Sequence, residues 1–133
     1  MIDVTEEALT IQQVAERTGV SAHTLRYYEK IGLLNPVGRH ENGHRRYVEQ
    51  DLDWIHFLKL LRRTGMSIQH MQQFIELARA GDHTIPDRVE VLTQHRRQLS
   101  HHIAELQEHM VYLDYKIGHY NDILDDTPPQ PCE

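Results

Sequence analysis

A chain of 133 residues has the length of one domain, or of one small domain with an appended element. It is too short for a TIM barrel or for a dinucleotide-binding enzyme with a separate substrate domain. The net charge of −6 speaks against a nucleic-acid binder only on average, because residues 11–80 carry ten Lys/Arg against seven Asp/Glu while residues 81–133 carry four against ten. Local field decides phosphate binding, since charges beyond about 8 Å are largely screened at physiological salt.

The first helix signal is Thr10-Ile11-Gln12-Gln13, a hydroxyl cap with Gln three residues on. Ile11, Val14 and Ala15 follow at helical spacing, and Gly19 supplies the stop. Ser21 caps a second helix with Leu25, Tyr28 and Ile31 on one face, so residues 11–30 read as a helix-turn-helix. Asn42-Gly43 is a hairpin signal, and its flanks hold Arg39, His40, His44, Arg45 and Arg46 with little apolar alternation. An exposed two-stranded wing is therefore expected over 36–47.

A third helix is expected over 49–64, ending at Gly65, with Leu52, Ile55 and Leu58 along it. A fourth over 67–80 is capped by Ser67, turns Ile68, Met71, Phe74, Ile75 and Ala78 inward, and stops at Gly81. Together these elements make a DNA-binding domain over 10–80. Beyond Pro86 no Gly or Pro occurs until Gly118, and apolar residues recur at alternating steps of four and three. One seam position holds Val89, Arg96, Ile103, Met110, Ile117 and Leu124; the other holds Ile85, Leu92, Leu99, Leu106, Leu113 and Tyr120. A repeat of 3.5 residues is that of a left-handed coiled coil, broken here only by Arg96. Residues 84–124 are thus expected to form a dimerisation helix through Val89, Leu92, Leu99, Ile103, Leu106, Met110, Leu113 and Ile117. The remaining 125–133 read as a mobile Pro-rich tail carrying the lone Cys132, which cannot close an intramolecular disulfide.

A mainly α winged helix-turn-helix carried by such a dimer suits one partner, double-stranded DNA with two half-sites. Ser21, His23, Thr24, Arg26 and Tyr27 face away from the apolar side of the second helix, with the hydroxyls and guanidinium that bases and phosphates accept. Arg62 and Arg63 add charge at the end of the third helix. No nucleophile–base pair or phosphate-cradling glycine loop points to an enzyme. No cofactor is implied, and histidine spacing along the last helix is too wide for one chain to share a metal ion. The histidines read as solvated. Trp54, Met66, Met71 and Phe74 fit either an effector pocket between the fourth helix and the long helix or plain core, which their helical spacing already explains. The acidic start is the opposite of a secretory leader, and no membrane span is visible, so a cytoplasmic protein is expected.

The run Thr24-Leu25-Arg26-Tyr27-Tyr28-Glu29-Lys30-Ile31-Gly32-Leu33-Leu34, with Asn42-Gly43-His44-Arg45-Arg46-Tyr47, resembles the MerR family of transcriptional regulators. Arg63-Thr64-Gly65-Met66-Ser67-Ile68, Gly81-Asp82-His83-Thr84-Ile85-Pro86-Asp87-Arg88 and Leu113-Asp114-Tyr115-Lys116-Ile117 are similar to its NmlR/AdhR branch. The resemblance implies a homodimer joined by an antiparallel coiled coil. It also implies binding at a pseudo-palindromic promoter spacer and regulation of RNA polymerase by DNA distortion. Carried over by position, the recognition contacts are Thr24, Arg26 and Tyr27, the wing contacts Arg45, His44 and Tyr47, and the third-helix contact Arg62; from its own residue type Tyr47 reads equally as a hinge packing residue or a phosphate donor. The third helix, reading Trp54-Ile55-His56-Phe57-Leu58-Lys59-Leu60-Leu61, lacks the cysteine of the family's aldehyde-responsive members, and the start of the long helix lacks the cysteines of its metal-sensing members. The effector is left open, and an effector-independent, excisionase-like DNA-bending protein is the alternative.

Overall fold

The computed structural model describes residues 8–34 and 47–126. Residues 36–46 of the expected wing, with His44 and Arg45, and the expected tail from residue 127 on, with Cys132, lie outside the described residues, while Asp125 and Asp126 belong to the last helix. Within them the chain is helical throughout: α1 (Ile11–Thr18), α2 (Ala22–Lys30), α3 (Glu49–Arg63), α4 (Ile68–Ala80), a short 3₁₀ turn (Asp82–Thr84) and α5 (Ile85–Asp126). The only strand-like pairing among the described residues is an antiparallel bridge between Leu9 and Tyr47.

Local chemistry sets the helix ends. Gln13 N–H donates to Thr10 Oγ1 at 3.2 Å while Thr10 N–H donates to Gln13 Oε1 at 2.8 Å, closing a reciprocal cap on α1. Ser21 Oγ accepts from Thr24 N–H at 3.1 Å, and Ser67 Oγ accepts from His70 N–H at 3.1 Å. For α3 the carboxylate comes from within, Asp51 Oδ2 accepting from Val48 N–H at 2.9 Å. Gly19 ends α1 at φ +74°, a left-handed conformation that side chains resist. Thr84 ties off α4, its hydroxyl donating to the Leu77 and Gly81 carbonyls and accepting from Arg88 Nε.

The chain divides into two compact units, Met1–Val91 and Leu92–Glu133. In the first, α1 packs on α2 and α3, and α3 packs on α4. Val14, Leu25, Leu33, Ile55, Leu58, Leu61 and Met71 are buried at its centre, with Trp54, Phe57 and Phe74 forming an aromatic cluster. Burying each large apolar side chain contributes about 1.5–3 kcal/mol.

In the second unit the described residues, 92–126, are the continuation of α5. Its apolar seam stays in water: Ile103, Leu106, Met110, Leu113 and Ile117 are between 46% and 63% exposed. Leu99 is half-buried. His95 corrects the expectation of a solvated histidine, since only 8% of its surface is accessible. Among the described residues no helix is long and apolar enough to cross a membrane.

Candidate nucleic-acid interface

The outward face of α2 follows from its periodicity. Leu25 and Tyr28, three apart, go into the core, and the residues between them turn out. His23, Arg26 and Tyr27 are exposed, Thr24 is half-buried, and Ser21 is exposed at the N-cap. Exposure is uncommon for a ring as large as Tyr27, which stands 45% accessible with its centroid 6.2 Å from that of Tyr28. Ser21 Oγ is already committed, donating to Thr24 Oγ1 at 2.9 Å and accepting from the Thr24 amide. Its role is therefore to cap the helix, which leaves the first amides of α2 pointing out of the N-terminus where an anion can be bound.

Arg62 reaches the same neighbourhood from α3. It is exposed, its Nη1 donates to the Met66 carbonyl at 3.3 Å, and its charge is felt at Tyr28. Burial pushes the Tyr28 phenol above its usual value, the Arg62 guanidinium pulls it back down, and Tyr27 adds a smaller push upward. The Arg62 guanidinium thus lies within electrostatic reach of Tyr28 on α2, and is itself held at the turn after α3 by its bond to the Met66 carbonyl. Arg63 beside it is also exposed.

Three long-range bonds hold α2 in place, and none of them is visible as a motif. Lys59 Nζ donates to the Thr18 carbonyl at 2.8 Å, anchoring the turn between α1 and α2. Trp54 Nε1 donates to the Leu33 carbonyl at 3.1 Å, and Gln72 Nε2 donates to the Ile31 carbonyl at 3.0 Å. These satisfy carbonyls at the ends of both short helices, where intrahelical partners run out. Their only sequence signal is a donor-bearing side chain on an otherwise apolar helix face. An exposed ion pair, Arg17 Nη1 to Glu49 Oε1 at 3.0 Å, adds little in water.

Tyr47 is a correction. Carried over as a DNA contact, it is 1% exposed, and its backbone exchanges both bridge hydrogen bonds with Leu9 at 2.7 and 2.8 Å. A ring so enclosed packs the domain and cannot reach a phosphate. The effector-pocket residues divide similarly. Met66 and Met71 are core, and Trp54 lines a cleft between α3 and α4 of about 400 Å³ with Leu34, Gln50, Asp51, Ile75, Ala78 and Arg79.

With this geometry established, likeness to known proteins is informative. Residues 9–77 match the family described as MerR HTH family regulatory protein, and residues 52–114 match the one described as MerR, DNA binding. An uncharacterized HTH-type transcriptional regulator of Haemophilus influenzae is 40% identical over 111 residues, which is 84% of this chain and 82% of that protein. The HTH-type transcriptional regulator AdhR of Bacillus subtilis is 42% identical over 91 residues, 68% of this chain and 65% of that protein. Among solved structures, HiNmlR, described as a MerR family regulator lacking the sensor domain and bound to promoter DNA, superposes with a TM-score of 0.83 at 38% identity. That match covers 90% of this chain and 95% of HiNmlR.

Proposed function

We propose, from the premise that the chain belongs to the MerR family of DNA-binding transcriptional regulators, that two copies pair through α5 in an antiparallel coiled coil. The pair binds a pseudo-palindromic promoter spacer and regulates RNA polymerase in the cytoplasm by distorting the DNA between promoter elements. Division of labour follows the chain: residues 10–80 read the duplex, and 84–124 join the copies.

The observation that carries this reading is the exposed apolar column of α5. Val89, Ile103, Leu106, Met110, Leu113 and Ile117 all stand open to solvent in the single chain. A surface of this size on one side of a helix is stable only when covered, and its 3.5-residue repeat matches a second copy of itself. At the other end, His23, Arg26 and Tyr27 on α2 and Arg62 on α3 supply base and phosphate contacts, with Thr24 beside them and Ser21 holding the helix N-terminus toward the backbone. His44 and Arg45 extend the contact by way of the wing. Two-fold pairing then fixes the half-site spacing, and the cost of bending selects among sequences the protein does not touch.

The test is a gel shift with a symmetric duplex taken from upstream of the gene, run beside a duplex of the same composition with one half-site scrambled. The expected result is tight binding only to the symmetric duplex, together with slowed migration when the site is moved to the centre of a permuted fragment. Equal affinity for both duplexes, or migration independent of position, overturns the reading.

A further inference from the structure

The cleft between α3 and α4, about 400 Å³, lies wholly within the first unit and has the size of a small-molecule site. Leu34, Trp54, Ile75 and Ala78 give it an apolar and aromatic wall, and Asp51 and Arg79 add one charge of each sign. Trp54 is half-buried, with the rings of Phe57 and Phe74 at 5.6 and 6.4 Å. Its N–H bond to the Leu33 carbonyl at 3.1 Å fixes the indole further. A flat ring held this way is a surface on which another ring stacks.

The two charges are not equivalent. Asp51 is committed to the start of α3, where its carboxylate accepts from the Val48 amide at 2.9 Å beside the positive end of the helix. Arg79 is exposed in the last turn of α4. Its guanidinium carries five N–H donors in a planar fork, so it can meet a carboxylate without giving up an interaction it already makes. An apolar wall, a ring to stack on and a forked cation together fit a small aromatic carboxylate.

The surroundings of the cleft give such a site a consequence. Residues 31–34 lead out of α2, and each of the four is met by α3 or α4 or borders the cleft. Gln72 bonds the Ile31 carbonyl, and Arg79 Nη1 would stand 3.8 Å from a β-carbon placed on Gly32. Trp54 bonds the Leu33 carbonyl, and Leu34 lines the cleft itself. A ligand stacked on Trp54 and paired with Arg79 therefore acts on two of the side chains that border the exit of the recognition helix.

We propose that this cleft binds a small aromatic carboxylate, its ring on Trp54 and its carboxylate on Arg79, and that occupancy changes the affinity for DNA. The site needs only the first unit of one chain; its effect on DNA rests on the duplex binding proposed above. The ligand shifts that binding by as much as its own affinity differs between the free and the DNA-bound protein, and the reverse effect is equal.

Trp54 is the only tryptophan of the chain, so its emission reports on the cleft directly. The experiment titrates sodium benzoate into the full-length chain at constant ionic strength, with benzamide and benzylamine as neutral and cationic counterparts. Benzoate should change the emission saturably, and the two counterparts should bind at least about tenfold more weakly, the worth of one charge-assisted bond. Arg79→Gln should weaken benzoate by the same factor. Ala78→Leu, which fills the cleft from α4, should abolish the response, and both variants should keep the helicity of the parent. Saturating benzoate should shift the affinity for the symmetric duplex at least about fivefold. Emission that changes only in proportion to benzoate concentration, or that responds equally to all three compounds or in Ala78→Leu, overturns the site. A saturable response with unchanged duplex affinity overturns the coupling. A chain that binds benzoate but does not prefer the symmetric duplex supports the site and overturns the reading of the target.

Discussion

Replacing Leu106 by Ala tests the pairing of α5 at its centre. Leu106 is 48% exposed in the single chain. Full burial of a leucine contributes about 1.5–3 kcal/mol, so covering the exposed half contributes roughly 0.7–1.4 kcal/mol. Two-fold symmetry places the substitution twice in each dimer, which raises the loss to roughly 1.5–3 kcal/mol, or about 10- to 150-fold in the dimer dissociation constant. Sedimentation equilibrium over a concentration series reads this directly, and the helicity of the variant should match the parent because the residue is not part of the folded core. Ile103→Ala should give a loss of the same order, since Ile103 holds the neighbouring seam position and is 46% exposed in the single chain. If Leu106→Ala leaves the dissociation constant within about threefold of the parent, the exposed column is not the dimer seam.

Arg26→Ala should weaken binding to the symmetric duplex by about 1–3 kcal/mol; loss of discrimination at one base pair marks a base contact, and a shallower salt dependence marks a phosphate contact. An unchanged affinity removes α2 from the interface. Gly19→Ala places a β-carbon in the left-handed region, 2.7 Å from Lys59 Nζ, and should lower stability by roughly 1–2 kcal/mol in thermal melts. The raised Tyr28 phenol has a definite sign. Above about pH 10 the unfolded chain releases this proton while the folded chain keeps it, so stability present below that pH is lost as pH climbs through the folded value. Tyr28→Phe should flatten that alkaline decline, as read by melting temperature across the range.

Where the signal was local, the sequence was legible. Thr10 with Gln13, and Ser21 and Ser67, mark helix starts through bonds spanning three residues, and Gly19 and Gly81 mark ends through backbone conformation alone. The outward face of α2 was readable for the same reason, because Leu25 and Tyr28 leave only one way for Arg26 and Tyr27 to turn. Long-range contacts left no such trace. Leu60 and Leu61 are adjacent and chemically identical, yet the first is exposed and the second buried, a distinction set by where α3 meets its neighbours. Tyr47 sat in a charged, poorly alternating stretch that suggested surface, and only its pairing with Leu9 carries it inside. Lys59 carries no signal for its reach of 41 positions, and Trp54, legible as pocket or core, carries none for the carbonyl it binds 21 positions away.

The contact between Lys59 and the turn at Gly19 also constrains how the two positions can change. The ammonium fills the space that any side chain at 19 would enter, so residues forty apart behave as one locus. Asparagine, which accepts the left-handed backbone, should cost less at 19 once 59 has become short, because no ammonium then has to leave its bond to the Thr18 carbonyl. In a combinatorial library the two sites should therefore be non-additive, the loss from a change at 19 shrinking in any background that has already given up the Lys59 bond.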